Sequence, residues 1–190
     1  MADIDVNHTA QDGVYSRGMF WHTTHDVNAL TSTHRTWSRW HPIRYPGQPW
    51  LDGGGPDLGH MYTRGLWALH FLKGYEPARE AALEVADYAV AYYTAIGWGT
   101  LDPRQAGNLL QTLAWAYRET RAQPHYDAMT SCIRANGARF SWGGLGGMYP
   151  AGLGEFLRMK TEAGQTSDAD FAAALAALLS NSDSALAQTL

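Results

Sequence analysis

From about residue 57 onward the apolar positions recur at helical spacing, and almost every run is bounded by a helix start or stop signal. Leu66, Leu69 and Leu72 form an apolar stripe with Met61 and Tyr62 behind it, which predicts a first helix over about 57–73 closed by Gly74. Pro77 opens a second, about 77–93, carrying Ala81, Leu83, Val85, Tyr88 and Val90. Asp102 and Pro103 form an N-cap and first-turn pair for a third, about 103–120. Pro124 opens a fourth that Asn136 and Gly137 end, and a glycine-rich stretch leads into a fifth ending near Lys160. Ser167 with Asp170 three residues on resembles a capping box for a sixth, about 168–180, followed by a fraying tail. Residues 1–56 differ: they are rich in His, Trp, Thr, Gly and Pro and hold no sustained period. The expected division is an irregular segment, 1–56, packed on a helical domain, 57–190.

The helices repeat in pairs. A shift of 47 residues sets Leu66 on Leu113, His70 on Tyr117, Pro77 on Pro124 and Ala81 on Ala128, and GEFLRMKTEAGQTSDADFAAAL is a looser third copy. Helical hairpins at a fixed period stack into a solenoid or a ring, because one hairpin cannot bury its apolar face alone. The predicted fold class is therefore all-α, built of consecutive antiparallel helical hairpins. An array of about six helices that stays open leaves bare helix faces at its ends, where self-association is expected.

Composition narrows the partners. Eight Trp and ten Tyr in 190 residues fit an aromatic core, a cleft whose rings stack on sugars, or both. Trp21, Trp37, Trp40, Trp50 and Trp98 lie in loops or near helix ends and are the better stacking candidates; Trp67 and Trp115 lie on apolar helix faces. A net charge of −4 with no Lys/Arg block argues against nucleic acid or an anionic membrane as partner. The opening MADIDVNHTAQDG has no basic or apolar signal region, and no apolar run reaches membrane-spanning length, so the chain reads as soluble with its compartment open. The single Cys132, in an apolar helix pattern, reads as buried and inert.

Candidate chemistry gathers around the first helix start. DGGGPDLGHMYTRG puts Asp52, Asp57, His60, Tyr62 and Arg64 together, and nothing in the second hairpin corresponds to GGGPDLGH. A helix N-terminus offers free N–H groups and a positive dipole end that suit a carboxylate, and Arg64 can clamp one with two hydrogen bonds. Arg104 lies at what the repeat makes the corresponding start of the third helix. His22 and His25, with His34, His41 and His60, make a histidine cluster beside Asp26 and Asp57. That cluster suits proton transfer, while the HTTH spacing lacks the four-residue step and Glu of a zinc helix. No cofactor is expected, with a divalent metal at His22, His25 and His41 as a secondary reading.

His60, Arg64, Gly65, Leu66, Leu69, Phe71, Gly74, Glu80, Ala81 and Ala82 form a motif similar to the (α/α)-toroid domains of carbohydrate-active enzymes, over about 50–165. It most resembles YetA-like, exo-rhamnogalacturonan-lyase-like proteins, with six-hairpin glycosidases and uronate hydrolases next. The resemblance implies a partial (α/α) toroid and a polysaccharide-active protein, foremost a lyase acting on uronate-containing glycan. His60 or Tyr62 would then be the base and Arg64 the carboxylate ligand, with His22, His25, Trp21, Trp40, Trp50, Asp52 and Arg104 contacting substrate. Two alternatives stand beside it: a glycoside hydrolase with Asp52 and Asp57 as its carboxylates, and a non-catalytic glycan-binding or assembly domain.

Overall fold

The computed structural model describes residues 21–22, 55–56, 59, 61–137, 139–140 and 147–189, with backbone only at 21–22, 55–56 and 181–189. Six α-helices dominate them: α1 Arg64–Lys73, α2 Glu76–Ile96, α3 Pro103–Thr120, α4 Gln123–Asn136, α5 Met148–Glu162 and α6 Ala169–Thr189. A short 3₁₀ turn, Trp98–Thr100, joins α2 to α3. Two two-residue strands, β1 Trp21–His22 and β2 Gly55–Pro56, pair antiparallel, with Trp21 opposite Pro56 and His22 opposite Gly55.

The punctuation works as its chemistry requires. Asp102 caps α3 in a reciprocal box: its carboxylate accepts from the Gln105 N–H at 2.7 Å, and its own N–H donates to the Gln105 side chain at 3.1 Å. Proline occupies the first turns of α2, α3 and α4, where a missing N–H costs nothing. Gly74 ends α1 in the left-handed conformation (φ 65°, ψ 28°), and Arg121 ends α3 in nearly the same one (φ 56°, ψ 21°). These residues are one 47-residue repeat apart, so the repeat holds even where the side chain disfavours it. Arg121 lays its guanidinium over the Tyr117 ring, 5.6 Å from the centroid.

The hairpins α1/α2, α3/α4 and α5/α6 stack side by side. Helices α1, α3 and α5 neighbour one another in one layer, and α2, α4 and α6 in the other. Contacts between hairpins join residues roughly one repeat apart: Thr63 with Thr112, Arg118 with Glu162, Tyr126 with Asp170. The tightest joint is α3 on α5. A Cβ on Gly107 would lie 2.1 Å from the Met148 carbonyl oxygen, and one on Gly152 would lie 2.6 Å from the Gly107 oxygen, so only glycine lets these backbones touch.

The core is one cluster running through all three hairpins, from Met61 and Trp67 through Leu109, Leu110 and Leu113 to Phe156 and Ala174. Cys132 is fully buried in α4, where burial pushes its thiol up to about 12 against the opposing hydrogen bond from Asn136. Ionic side chains stitch successive hairpins together on the side of the α1–α2, α3–α4 and α5–α6 turns. Arg79 meets Glu119 at 3.0 Å, Arg118 meets both Glu155 and Glu162, and buried Lys160 meets Asp168 and donates to the Tyr126 hydroxyl at 2.8 Å. Burial raises the Glu155 carboxyl, but hydrogen bonds from Arg158 and Arg118 outweigh it and hold the group below its ordinary range.

Four expectations need correction. The first helix begins at Arg64, not near 57, because residues 61–63 are held by tertiary partners before a helix can start. Leu69 and Leu72 do not pack: they are 42% and 79% exposed, and α1 buries Trp67 instead. The sixth helix is capped by Asp168, which accepts from the Phe171 N–H at 2.8 Å, so the cap lies one residue past Ser167. That helix also runs on to Thr189.

Candidate functional site

The stretch leading into α1 is laid along α3. The Asn108 side chain donates to the Gly59 carbonyl, and the Thr63 hydroxyl donates to that of Thr112 at 3.2 Å; both contacts are buried. Met61 is buried between them. Tyr62, between two buried neighbours, is turned outward and is 55% exposed. Arg64 follows as the first residue of α1. It is exposed, forms no ion pair among the described residues, and no acidic residue lies in that first turn to answer the positive helix end.

Arg104 is the second residue of α3 and half-buried. The two arginines do not sit at equivalent helix starts. The 47-residue shift sets Arg64 on Gln111 and Arg104 on Asp57, and the Thr63–Thr112 contact fixes the same level physically. Seven residues of helix separate those levels, about 10 Å along α3. Two cations so spaced suit different ends of one elongated anionic ligand better than a single carboxylate.

Asp102, also at this end, spends its carboxylate on the α3 cap. Trp98 leans on the core, its ring 5.8 Å from that of Tyr93, and its carbonyl accepts from Asn136 at 3.0 Å. It is therefore half-buried packing more than a free stacking platform.

The strand pair ties the N-terminal segment to the chain ahead of α1. β1 sets the backbone of Trp21 and His22 against Gly55 and Pro56, the residues between Asp52 and Asp57. The side chains of Trp21 and His22, and all of His25, His41, Trp40, Trp50, Asp52, Asp57 and His60, lie outside the described residues. Among the described residues no three His, Cys, Asp or Glu side chains gather as a metal site.

Asn108 and Thr112 were not foreseen as site-forming residues. Their signal was present: two polar side chains, four residues apart, on the face of α3 that also carries Leu109, Leu113 and Ala116. A buried amide or hydroxyl needs a partner, and here the partner is the site loop.

The chain is 34% identical, over a 92-residue alignment, to the unsaturated chondroitin disaccharide hydrolase of Streptococcus pneumoniae (strain ATCC BAA-255 / R6). The alignment covers 42% of this chain and 23% of that protein, so the chain spans about a quarter of the curated relative it matches. No family model matches the chain. No solved structure matches it. The similarity found is thus to a carbohydrate-active hydrolase and not to the lyase-like proteins whose motif the first hairpin resembles. No described helix is long and apolar enough to cross a membrane.

Proposed function

We propose that this chain belongs to a glycoside hydrolase acting on short, uronate-containing glycans, with an unsaturated chondroitin disaccharide as its first test substrate. The observation that carries the reading is the 34% identity to a hydrolase named for that substrate. It favours the hydrolase over the lyase.

Hydrolysis needs a proton donor for the leaving oxygen and a carboxylate that activates water or attacks the anomeric carbon. Asp52 and Asp57 flank β2 and are the pair we assign. Arg64, exposed beside a helix N-terminus and without an ion pair among the described residues, binds the uronate carboxylate, and Arg104 serves a second anionic or polar group about 10 Å further along α3. His60 and Tyr62, with Trp21, His22, His25, Trp40 and Trp50, contact the sugar rings and their hydroxyls.

The test follows ultraviolet absorbance. Cleaving an unsaturated uronide releases a hemiacetal that opens to a keto acid, so the conjugated chromophore disappears. The expected result is a falling signal with the disaccharide, slowed about 100-fold or more in Asp52→Asn and Asp57→Asn. A rising signal on polymeric uronan would establish a lyase and overturn the reading. Saturable binding of the disaccharide with no cleavage would instead establish a glycan-binding domain.

A further inference from the structure

We propose that the outward face of the α1/α3/α5 layer carries a sugar-stacking subsite for a neutral pyranose ring, with Phe71 as its floor and Trp115 as its wall. Phe71 lies on the buried Trp67, the two rings 5.9 Å apart and 20° from parallel, and is itself 53% exposed. Trp115 stands beside it, 6.0 Å away and tilted by 42°. The Trp115 Nε1 is buried while the residue as a whole is only partly so, which means that the part of the indole reaching solvent is carbon. The repeat asks for neither ring. Shifted by 47 residues, Phe71 meets Arg118 and Trp115 meets Ala68, so hairpin packing accounts for neither aromatic side chain.

Charged groups hold the wall, and they balance. The Arg118 and Arg158 guanidinium carbons lie 5.1 and 5.8 Å from the Trp115 ring centroid. Arg118 is tied to Glu155 and, at 2.9 Å, to Glu162, while Arg158 donates to Glu155 at 2.6 Å. Two cations against two carboxylates leave no net charge, which argues against an anion as occupant. The side chains of Arg158 and Glu162 are 52% and 54% exposed, so the edge of the wall offers both a donor and an acceptor. Hydroxyl groups donate and accept, and a pyranose sets them around a ring whose C–H face is apolar. A flat aromatic ligand would cover the rings and leave that edge unanswered. Ion pairs fix the edge and Trp67 supports the floor before anything binds, so little ordering is left for binding to cost.

The floor shares a face with the proposed site. Arg64, Ala68 and Phe71 follow one another along one side of α1, about 10 Å from first to last. Ala68 is exposed and too small to stand in the way. On α3 the same two levels are held by Gln111, which the repeat sets on Arg64, and by Trp115 one turn further on. A glycan whose uronate sits on Arg64 therefore reaches Phe71 with the sugars that follow. That continuation rests on the hydrolase reading; the stacking does not.

The experiment is a calorimetric titration of the full chain with cellotetraose, a probe with no charge, no uronate and no aromatic ring. The expected result is saturable binding with a Kd at or below about 1 mM. Phe71→Ala weakens it about three- to tenfold, while Phe71→Tyr, which keeps the ring, keeps the parental affinity. Leu72→Ala removes a more exposed apolar side chain from another side of α1 and leaves the affinity unchanged. Helix content by circular dichroism stays that of the parent in all three. No saturable binding, an undiminished affinity in Phe71→Ala, or an equal loss in Leu72→Ala would each overturn the subsite. Because the probe carries no uronate, that failure leaves the hydrolase standing. A chain that binds cellotetraose through Phe71 and spares the unsaturated disaccharide keeps the subsite and loses the hydrolase.

Discussion

Helices α1 and α3 hold the same place in successive hairpins, yet α3 runs for 18 residues and α1 for 10. Their C-terminal halves match down to the left-handed residues Gly74 and Arg121. Their N-terminal halves diverge. α3 begins with a full capping box, while in the first hairpin the α-helix starts only at Arg64, and Gly59 and Thr63 ahead of it bond to α3. Packing holds the repeat in one half of the hairpin, and the other half is where we propose the site. Where the α1 layer gives up a helix, it gains an outward-facing Tyr62 and an exposed Arg64.

Three substitutions test that contrast. The largest effect belongs to Gly107→Ala, which drives a methyl group into the α5 backbone where no side chain can yield. It should cost about 3 kcal/mol, or about 6–12 °C in melting temperature, in thermal unfolding. A change of under about 1 kcal/mol would mean that α3 and α5 are not in contact there. Asn108→Leu comes next. It strips the buried Gly59 carbonyl of its donor, and about 2 kcal/mol is expected in urea unfolding. Its signature is that glycan cleavage falls further than stability, since the site loop loses its anchor; equal losses would make Asn108 a core residue only. Asp102→Ala is the mildest, removing the α3 cap for about 1 kcal/mol and leaving substrate affinity unchanged. A drop in affinity would show that the Asp102 carboxylate does more than cap α3.

Much of this fold is legible in the chain because its helix boundaries are set locally. Pro77, Pro124, Asp102, Gly74 and Gly137 act within one turn of themselves, and the helices they bound lie within a few residues of expectation. The start of α1 is not local. Asp57, Gly59 and the apolar residues after them make a plausible helix, and what prevents one is Asn108 and Thr112, 49 residues away from their partners. Leu69 and Leu72 mislead for a related reason: periodicity shows that a face is apolar without showing what covers it. The pairing of Trp21–His22 with Gly55–Pro56 has no local signature, since four residues carry no readable alternation. The location we propose for the site rests on the part of the first hairpin that does not repeat. The offset of about 10 Å between Arg64 and Arg104 was not legible, because it depends on where a helix is forbidden to begin.

Cys132 gives the protein a built-in reporter. Its sulfur is the only thiol in the chain, held fully buried and protonated beside Asn136. Reagents that need a thiolate find neither the charge nor the access in the native array. Consumption of such a reagent therefore counts the moments when the second hairpin leaves its neighbours, and a labelling rate becomes a clock for how often the stack breathes.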